Sequence, residues 1–247
     1  MVIVGGTSGV GLASARLLAR QGVGSLVLVG RDAERGKAAA ASVEASGSPA
    51  RFVAGDAGDG DGCARIVESA AEHLGGIDAM VCSVAQGGST DVLHRMAVAD
   101  IVAMLNSVAL PPLLLTRAVL PLMREQRSGS IVNIASDAAK TATPGEAVVG
   151  AAMAAIVMFS RAVALEAKRY GVRINVLTPS LISGTRVAER IFADEFGSHL
   201  FDKVRRKAGL GVPDADDLAE LVAFLVGPGA AKITGQAISV NGGVSAA

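Results

Sequence analysis

Short apolar segments alternate with longer segments of helical periodicity along the chain. The pattern predicts strands at residues 1–4, 25–29, 51–54, 79–84, 130–134, 173–177 and 237–240. It predicts helices at 9–21, 32–45, 98–125 and 148–169 and one after Asp61, with Asp32 and Asp61 as N-caps and Gly22 ending the first helix. This alternation favours a single-domain α/β fold, a doubly wound parallel sheet flanked by helices. Residues 183–210 interrupt it, so we expect a mobile insertion that covers the site.

Composition narrows the class of protein. Of the 247 residues 51% are hydrophobic, enough for a large core, and 23 basic residues balance 23 acidic ones. This balance argues against binding nucleic acid or an anionic membrane, and we expect no apolar run near the roughly 20 residues that span a bilayer. The N-terminus has no signal-peptide pattern, and Cys63 and Cys82 favour reduced thiols over a disulfide. We expect a cytoplasmic protein and predict no metal site.

A glycine-rich turn joins the first strand to the first helix. The turn runs from Gly5 to Gly11, and the residues in it that we expect to contact a coenzyme are Gly5, Thr7, Ser8, Gly9, Val10 and Gly11. Glycines allow a tight turn and a close approach by a pyrophosphate, while the helix N-terminus supplies N–H donors and the positive end of its dipole. We predict a dinucleotide site here; a purely structural loop is the alternative.

The chain resembles the short-chain dehydrogenase/reductase family, which has a Rossmann-type fold, from Val2 to Gly243. The turn is similar to the family's TGxxxGxG, with Val4 in place of the threonine. Residues 175–180 are similar to VNxxxPG, with serine for the glycine, and residues 233–243 to the closing TGQ and VDGG motifs. The resemblance implies a nicotinamide coenzyme and a small-molecule substrate.

The ribose-reading position lies at the end of the second strand. An acidic residue there would bind the 2′-hydroxyl of NAD, but Gly30 occupies the position and Arg31 follows it. A guanidinium suits a 2′-phosphate, and Thr7, Ser8 and Arg35 offer further donors, so we predict NADP. The alternative is NAD, with Asp32 on the ribose and Arg31 in solvent; we interpret Asp32 as a helix cap.

Other coenzyme contacts are implied by the resemblance. Asp56 and Ala57 follow the third strand, where the family contacts adenine, although Asp56 is also explained by a turn. The family's NNAG becomes residues 82–85, in which Ser83 keeps one hydrogen-bonding group and Ala85 leaves room for the coenzyme. After the sixth strand, Pro179, Ile182, Ser183 and Thr185 fall where the nicotinamide carboxamide is held, and Ser183 and Thr185 compete for the family's threonine position.

The catalytic set departs from the family. Ser136 matches the serine that orients a carbonyl oxygen, and Asn106 matches the asparagine that holds a water; a structural hydrogen bond is the alternative for each. The positions of the family's tyrosine and lysine, 13 and 17 residues after Ser136, hold Val149 and Met153. Tyr170 is the chain's only tyrosine and lies roughly 30 Å along the helix from Val149.

Other side chains are candidates to replace the missing acid. Lys140 ranks first, because it could swing toward Ser136 and supply a cation, and Glu146 second. For both, and for Asp137, His94 and His199, a solvated surface role is the alternative.

Two functions follow from this pattern. The first is an NADP(H)-binding oxidoreductase with non-standard proton chemistry, acting on a carbonyl, an enone or an acyl thioester. The second is a catalytically degenerate nucleotide-binding protein that serves as a regulatory or structural subunit, or as a non-redox isomerase or cyclase. The helix at 148–169 is apolar nearly all round, and in the family it packs on a second subunit, so we expect a homodimer or homotetramer.

Overall fold

Seven parallel strands form one sheet in the order β3-β2-β1-β4-β5-β6-β7 in the computed structural model, which describes residues 1–84, 91–193 and 195–246. The strands are β1 Val2–Val4, β2 Leu26–Gly30, β3 Ala50–Ala54, β4 Ala79–Cys82, β5 Gly129–Ile134, β6 Val172–Pro179 and β7 Ala237–Val240. The order reverses between β1 and β4, and a crevice outside the carboxyl ends of the strands is expected at such a switch point. The predicted fold class is confirmed.

Helices cover both faces of the sheet. They are α1 Gly9–Arg20, α2 Ala33–Glu44, α3 Gly60–Leu74, α4 Val98–Gln126, α5 Ala147–Ala167, α6 Arg186–Phe192, α7 Glu195–Lys207 and α8 Ala215–Val226. Because successive strand residues point to opposite faces, Ile3 packs with α1, α2 and α8, whereas Val2 and Val4 pack with α3, α4 and α5. The two cores hold the carboxyl ends of β1, β4 and β5 side by side.

Several predicted details were wrong. Asp59, not Asp61, caps α3, because its side chain accepts a hydrogen bond from Gly62 N at 2.6 Å. The segment 183–210, predicted as a mobile insertion that covers the site, contains two helices, α6 and α7, that were not predicted. Helix α8 had no counterpart in the sequence assignment, although Asp214 and Asp217 form a capping box at its start.

Helices α4 and α5 are long and apolar enough, by length and composition alone, to cross a membrane. This contradicts the expectation that no segment would approach that length. Leu115 and Val119 of α4 and Val163 and Ala164 of α5 are buried against the sheet, so the helical layer accounts for part of their apolar character.

Candidate functional site

The glycine-rich turn lies at the switch point of the sheet and depends on two close backbone approaches. Gly5 has a φ of 80°, and a Cβ there would overlap the Ser83 carbonyl at the end of β4. A Cβ on Gly11 would overlap the Gly5 carbonyl. Both contacts are with backbone that cannot move aside, so these glycines fix the path from β1 into α1.

The start of α1 offers a cradle for an anion. Gly9 has a φ of 51°. Among the described residues, leaving aside its chain neighbours and the backbone of its own helix, the one atom within 4 Å of a Cβ built there is Thr185 Cγ2, at 3.9 Å. Ser8 is exposed at the N-cap position and makes no capping bond, the first turn carries no acidic residue, and Val10 is buried beneath it. The first N–H groups of a helix have no partner within it. The open space, the free hydroxyl and these donors fit a pyrophosphate.

The ribose end of the site is cationic. Thr7 is buried with its methyl group against Gly30, where a Cβ would lie 2.8 Å from Thr7 Cγ2. Arg31 is exposed and makes no hydrogen bond or ion pair with any described residue. Asp32 caps α2 by accepting from Arg35 N at 3.0 Å, and this bond lowers the pKa of its carboxyl. The sequence interpretation of Asp32 as a cap is therefore correct, and Arg31 is left for a ligand.

The predicted adenine contacts lie beside this end. The Asp56 carboxylate accepts from Gly58 N at 3.0 Å, which is the turn that the sequence offered as an alternative, and Ala57 is buried behind it. Ser83 is half-buried, and its N–H donates to Val4 O at 2.8 Å. Ala85, expected to leave room for the coenzyme, lies outside the described residues.

Ser136 follows β5 at the carboxyl edge of the sheet. Its Oγ accepts a hydrogen bond from Ala138 N at 3.2 Å and so caps the short 3-10 turn Asp137–Ala139. The hydroxyl proton has no acceptor among the described residues. The side chain is half-buried, so Ser136 can donate to an oxygen on a bound molecule.

An apolar cluster includes Val149 and Met153, the positions where the resemblance puts the family's tyrosine and lysine. Its buried members are Met104, Val108, Ala109, Val148 and Ala152, and its half-buried members are Met96, Ile101, Val149 and Met153. The cluster joins the first half of α4 to the first turns of α5. Gly150 lets α5 approach the turn after Ser136 closely, because a Cβ on Gly150 would lie 2.9 Å from Ala138 O. None of these nine side chains can give a proton at neutral pH. We call this group the relay cluster.

Asn106 is exposed on α4 and makes no side-chain hydrogen bond with any described residue, whereas Val108 is buried in the relay cluster at 4% exposure. The face of α4 that meets α5 carries Met104 and Val108. The role of Asn106 in holding a proton-relaying water therefore stays a prediction. Tyr170 lies beyond α5 and just before β6, at the opposite edge of the sheet from Ser136.

Lys140 was predicted to supply a cation to Ser136, but its ammonium donates to Ser239 Oγ on β7 at 2.6 Å. Burial lowers its pKa. Next to it Asp137 is buried and accepts from Ser245 Oγ at 2.7 and 2.8 Å. These bonds tie the turn after Ser136 to the edge strand and the C-terminal residues. Sequence reasoning missed this network, whose members lie 108 residues apart.

Glu146, the second-ranked replacement acid, immediately precedes α5. Burial raises the pKa of its carboxyl, more than the hydrogen bond with Thr143 lowers it. It also lies three residues before Val149. The surroundings of Glu146 therefore favour the protonated form of its carboxyl.

The segment after β6 closes over the glycine-rich turn. Pro179 is buried at the end of β6 beside Val240, and Ile182 packs on the core under α1. Ser183 is exposed and its N–H donates to Pro213 O at 2.9 Å, whereas Thr185 is buried and accepts from Ala188 N at 3.2 Å. Ser183 and Thr185 also line a cavity of about 310 Å³ under α6 and α7. Of the two, Thr185 faces the Gly9 cradle.

Comparisons with known proteins agree with this architecture. A family model described as enoyl-(acyl carrier protein) reductase matches residues 4–245. A 3-oxoacyl-[acyl-carrier-protein] reductase of Synechocystis is 30% identical over 244 residues, covering 98% of this chain and 95% of that one. Human dehydrogenase/reductase SDR family member 4 is 30% identical, with 98% and 86% covered. The crystal structure of levodione reductase superimposes with a TM-score of 0.91 at 27% identity, with 98% and 95% covered.

Proposed function

This chain belongs to the short-chain dehydrogenase/reductase family, and from that premise we propose that it is an NADP(H)-binding oxidoreductase whose substrate is an activated alkene, an enone or a conjugated acyl thioester, rather than a ketone. The relay cluster carries this proposal. An alkoxide formed from a ketone needs a proton from a positioned acid, and Val149, Met153 and Val108 leave none there.

The choice of NADP(H) rests on the residues at the ribose end. Arg31 has no partner among the described residues, Gly30 adds no negative charge, and Asp32 is committed to its cap. The start of α1 would hold the pyrophosphate, with Ser8 and Gly9 nearest to it. The bound coenzyme supplies hydride.

Ser136 is the group that suits an alkene substrate. When hydride adds to the far carbon of a conjugated carbonyl, charge develops on the carbonyl oxygen as an enolate, which a single hydrogen-bond donor stabilises. The uncommitted Ser136 hydroxyl can be this donor. The enolate carbon then takes a proton from water or from Glu146. Because its pKa is raised, more of Glu146 is protonated at a given pH than of an ordinary glutamate. The matching family model, which is described as enoyl-(acyl carrier protein) reductase, supports an unsaturated acyl thioester.

A second function is favoured by the same cluster. Nine apolar side chains in place of the relay are also what a non-redox nucleotide-binding subunit would carry.

We further propose a homo-oligomer, because α4 and α5 expose large apolar side chains: Val98 is 78% exposed, Met158 63% and Leu165 65%. Light scattering coupled to size-exclusion chromatography measures this directly.

The test combines binding with turnover. Quenching or a shift of NADPH fluorescence on mixing, compared with NADH, should show preferential binding of NADPH. Oxidation of NADPH should then follow with enones or acyl thioesters and not with ketones, and Ser136→Ala should abolish it. NADPH binding without oxidation on any of the three substrate classes supports the second function, while turnover of ketones at ordinary rates contradicts the proposal.

A further inference from the structure

Arg186 is placed over the glycine-rich turn by its neighbour Thr185. The Thr185 methyl group lies 3.9 Å from the position of a Cβ on Gly9, which brings this part of the chain to the start of α1. The Thr185 side chain is held on both sides: its hydroxyl donates to Ile182 O at 3.0 Å and accepts from Ala188 N at 3.2 Å. Arg186 is the first residue of α6, so its backbone is fixed beside the coenzyme cradle.

Positive charge exceeds negative charge at this end of the site. The Arg35 guanidinium lies 3.5 Å from the Asp32 carboxylate. The positive charge of Arg186 also contributes to lowering the pKa of Asp32. Arg186 is exposed and makes no side-chain hydrogen bond or ion pair with any described residue, as is true of Arg31. Two cations, Arg35 and Arg186, therefore act on the Asp32 carboxylate, and Arg31 directly precedes it in the chain.

We propose that Arg186, together with Arg31, binds the phosphate on the adenosine ribose of NADP(H) and thereby fastens the 183–210 segment over the coenzyme. The inference rests on the proposed preference for NADP(H). A dianionic phosphate accepts several charge-assisted hydrogen bonds at once, which Asp32, with one oxygen occupied by Arg35 N, cannot match. NADH lacks this phosphate, so it leaves the segment without the contact. The same contact between Arg186 and the phosphate then determines both the preference for NADP(H) and the closure of the 183–210 segment.

Equilibrium binding of NADPH and NADH to four proteins tests the role of Arg186. The proteins are the wild type, Arg186→Gln, Arg31→Gln and the control Arg190→Gln, which removes another exposed cation of the same helix. Loss of a charge-assisted hydrogen bond should raise the Kd for NADPH roughly tenfold or more in Arg186→Gln. The Kd for NADH should stay unchanged, and Arg190→Gln should behave as the wild type.

Closure has a readout of its own. Chymotrypsin can cut the segment at its three phenylalanines, Phe192, Phe196 and Phe201. Adenosine 2′,5′-bisphosphate should slow this cleavage in the wild type and in Arg190→Gln but not in Arg186→Gln. Adenosine 5′-monophosphate, which lacks the 2′-phosphate, should protect none of them. These fragments report on the adenosine end alone, without any turnover.

The outcomes separate the two proposals. If the wild type prefers NADPH and Arg31→Gln loses that preference, while Arg186→Gln keeps both the affinity and the protection, the role of Arg186 is refuted and the coenzyme assignment stands. If the wild type binds NADH as tightly as NADPH, the coenzyme assignment fails and the role of Arg186 fails with it.

Discussion

Putting the missing acid back is the most direct test of the relay cluster. The double substitution Val149→Tyr with Met153→Lys places a phenol and an ammonium at the two positions that the family uses for proton transfer. Both side chains are half-buried, and Met153 also contacts a second apolar cluster around Ile156 and Val176. The phenol and the ammonium would therefore pack against apolar side chains while remaining partly exposed to solvent.

The cost in stability should be tolerable. The larger ring at 149 presses on Val108 and Met104, and overpacking of this kind costs about 1–3 kcal/mol. The lysine at 153 can extend its charged end toward solvent, because the position is only half-buried, so most of the penalty for burying a charge is avoided. A domain typically has about 5–15 kcal/mol of stability, so we expect a folded protein.

The assay isolates the hydroxyl group by comparison with Val149→Phe plus Met153→Lys, which has the same bulk and charge but no acid. A positioned general acid contributes about 10²–10⁴ in rate, so the tyrosine variant should reduce a ketone panel with NADPH by that factor faster than the phenylalanine variant. Circular dichroism and NADPH binding confirm that both are folded and loaded. Equal ketone reduction by the two variants would refute the view that proton supply is what the site lacks.

Three further predictions address stability and reactivity. Glu146→Gln should stabilise the protein at neutral pH, because burial raises the pKa of the carboxyl above its ordinary 4.5, so ionisation of the carboxyl disfavours the folded state. Chemical denaturation at several pH values should show this gain in stability vanish below about pH 4.5. The gain should grow as the pH rises from there toward the pKa of Glu146 in the folded protein. Burial raises the pKa of Cys63 to about 11 and of Cys82 to about 12, so neither should react with a thiol reagent at pH 8 until denaturant is added. Rapid labelling of the native protein would contradict the buried placement. Gly11→Ala should abolish nucleotide binding or folding, since its Cβ overlaps the Gly5 carbonyl. Gly24→Ala should do neither, because its Cβ would have no described atom within 4 Å other than those of its chain neighbours.

The nucleotide end of the site was predictable because its signals are local. Gly5, Gly9 and Gly11 lie within seven residues, and a turn of that length has few ways to meet a helix start. The cap at Asp32 likewise depends on a bond to a residue three positions away. These features need no knowledge of how distant segments pack.

The catalytic end was harder because it depends on helix phase and on distant contacts. Asn106 and Val108 differ by two positions, which on an α-helix is a rotation of roughly 200° and turns an inward side chain outward. Spacing alone did not fix that phase in a helix with three internal prolines. The bond from Ser245 to Asp137 joins residues 108 positions apart, and no periodicity predicts such a pair.

The apolar residues at the relay form one consistent packing arrangement, which bears on what the site does. Val149 and Met153 lie four residues apart on α5, so a tyrosine at 149 and a lysine at 153 would be neighbours on one face of the helix. A tyrosine at 149 alone would place its hydroxyl among the apolar side chains of the relay cluster, and a polar group without a partner costs free energy. Val149 and Met153 therefore go together, and restoring Val149→Tyr alone should give less ketone reduction than the double variant. Equal rates for the single and double variants would show that the cluster does not act as a unit.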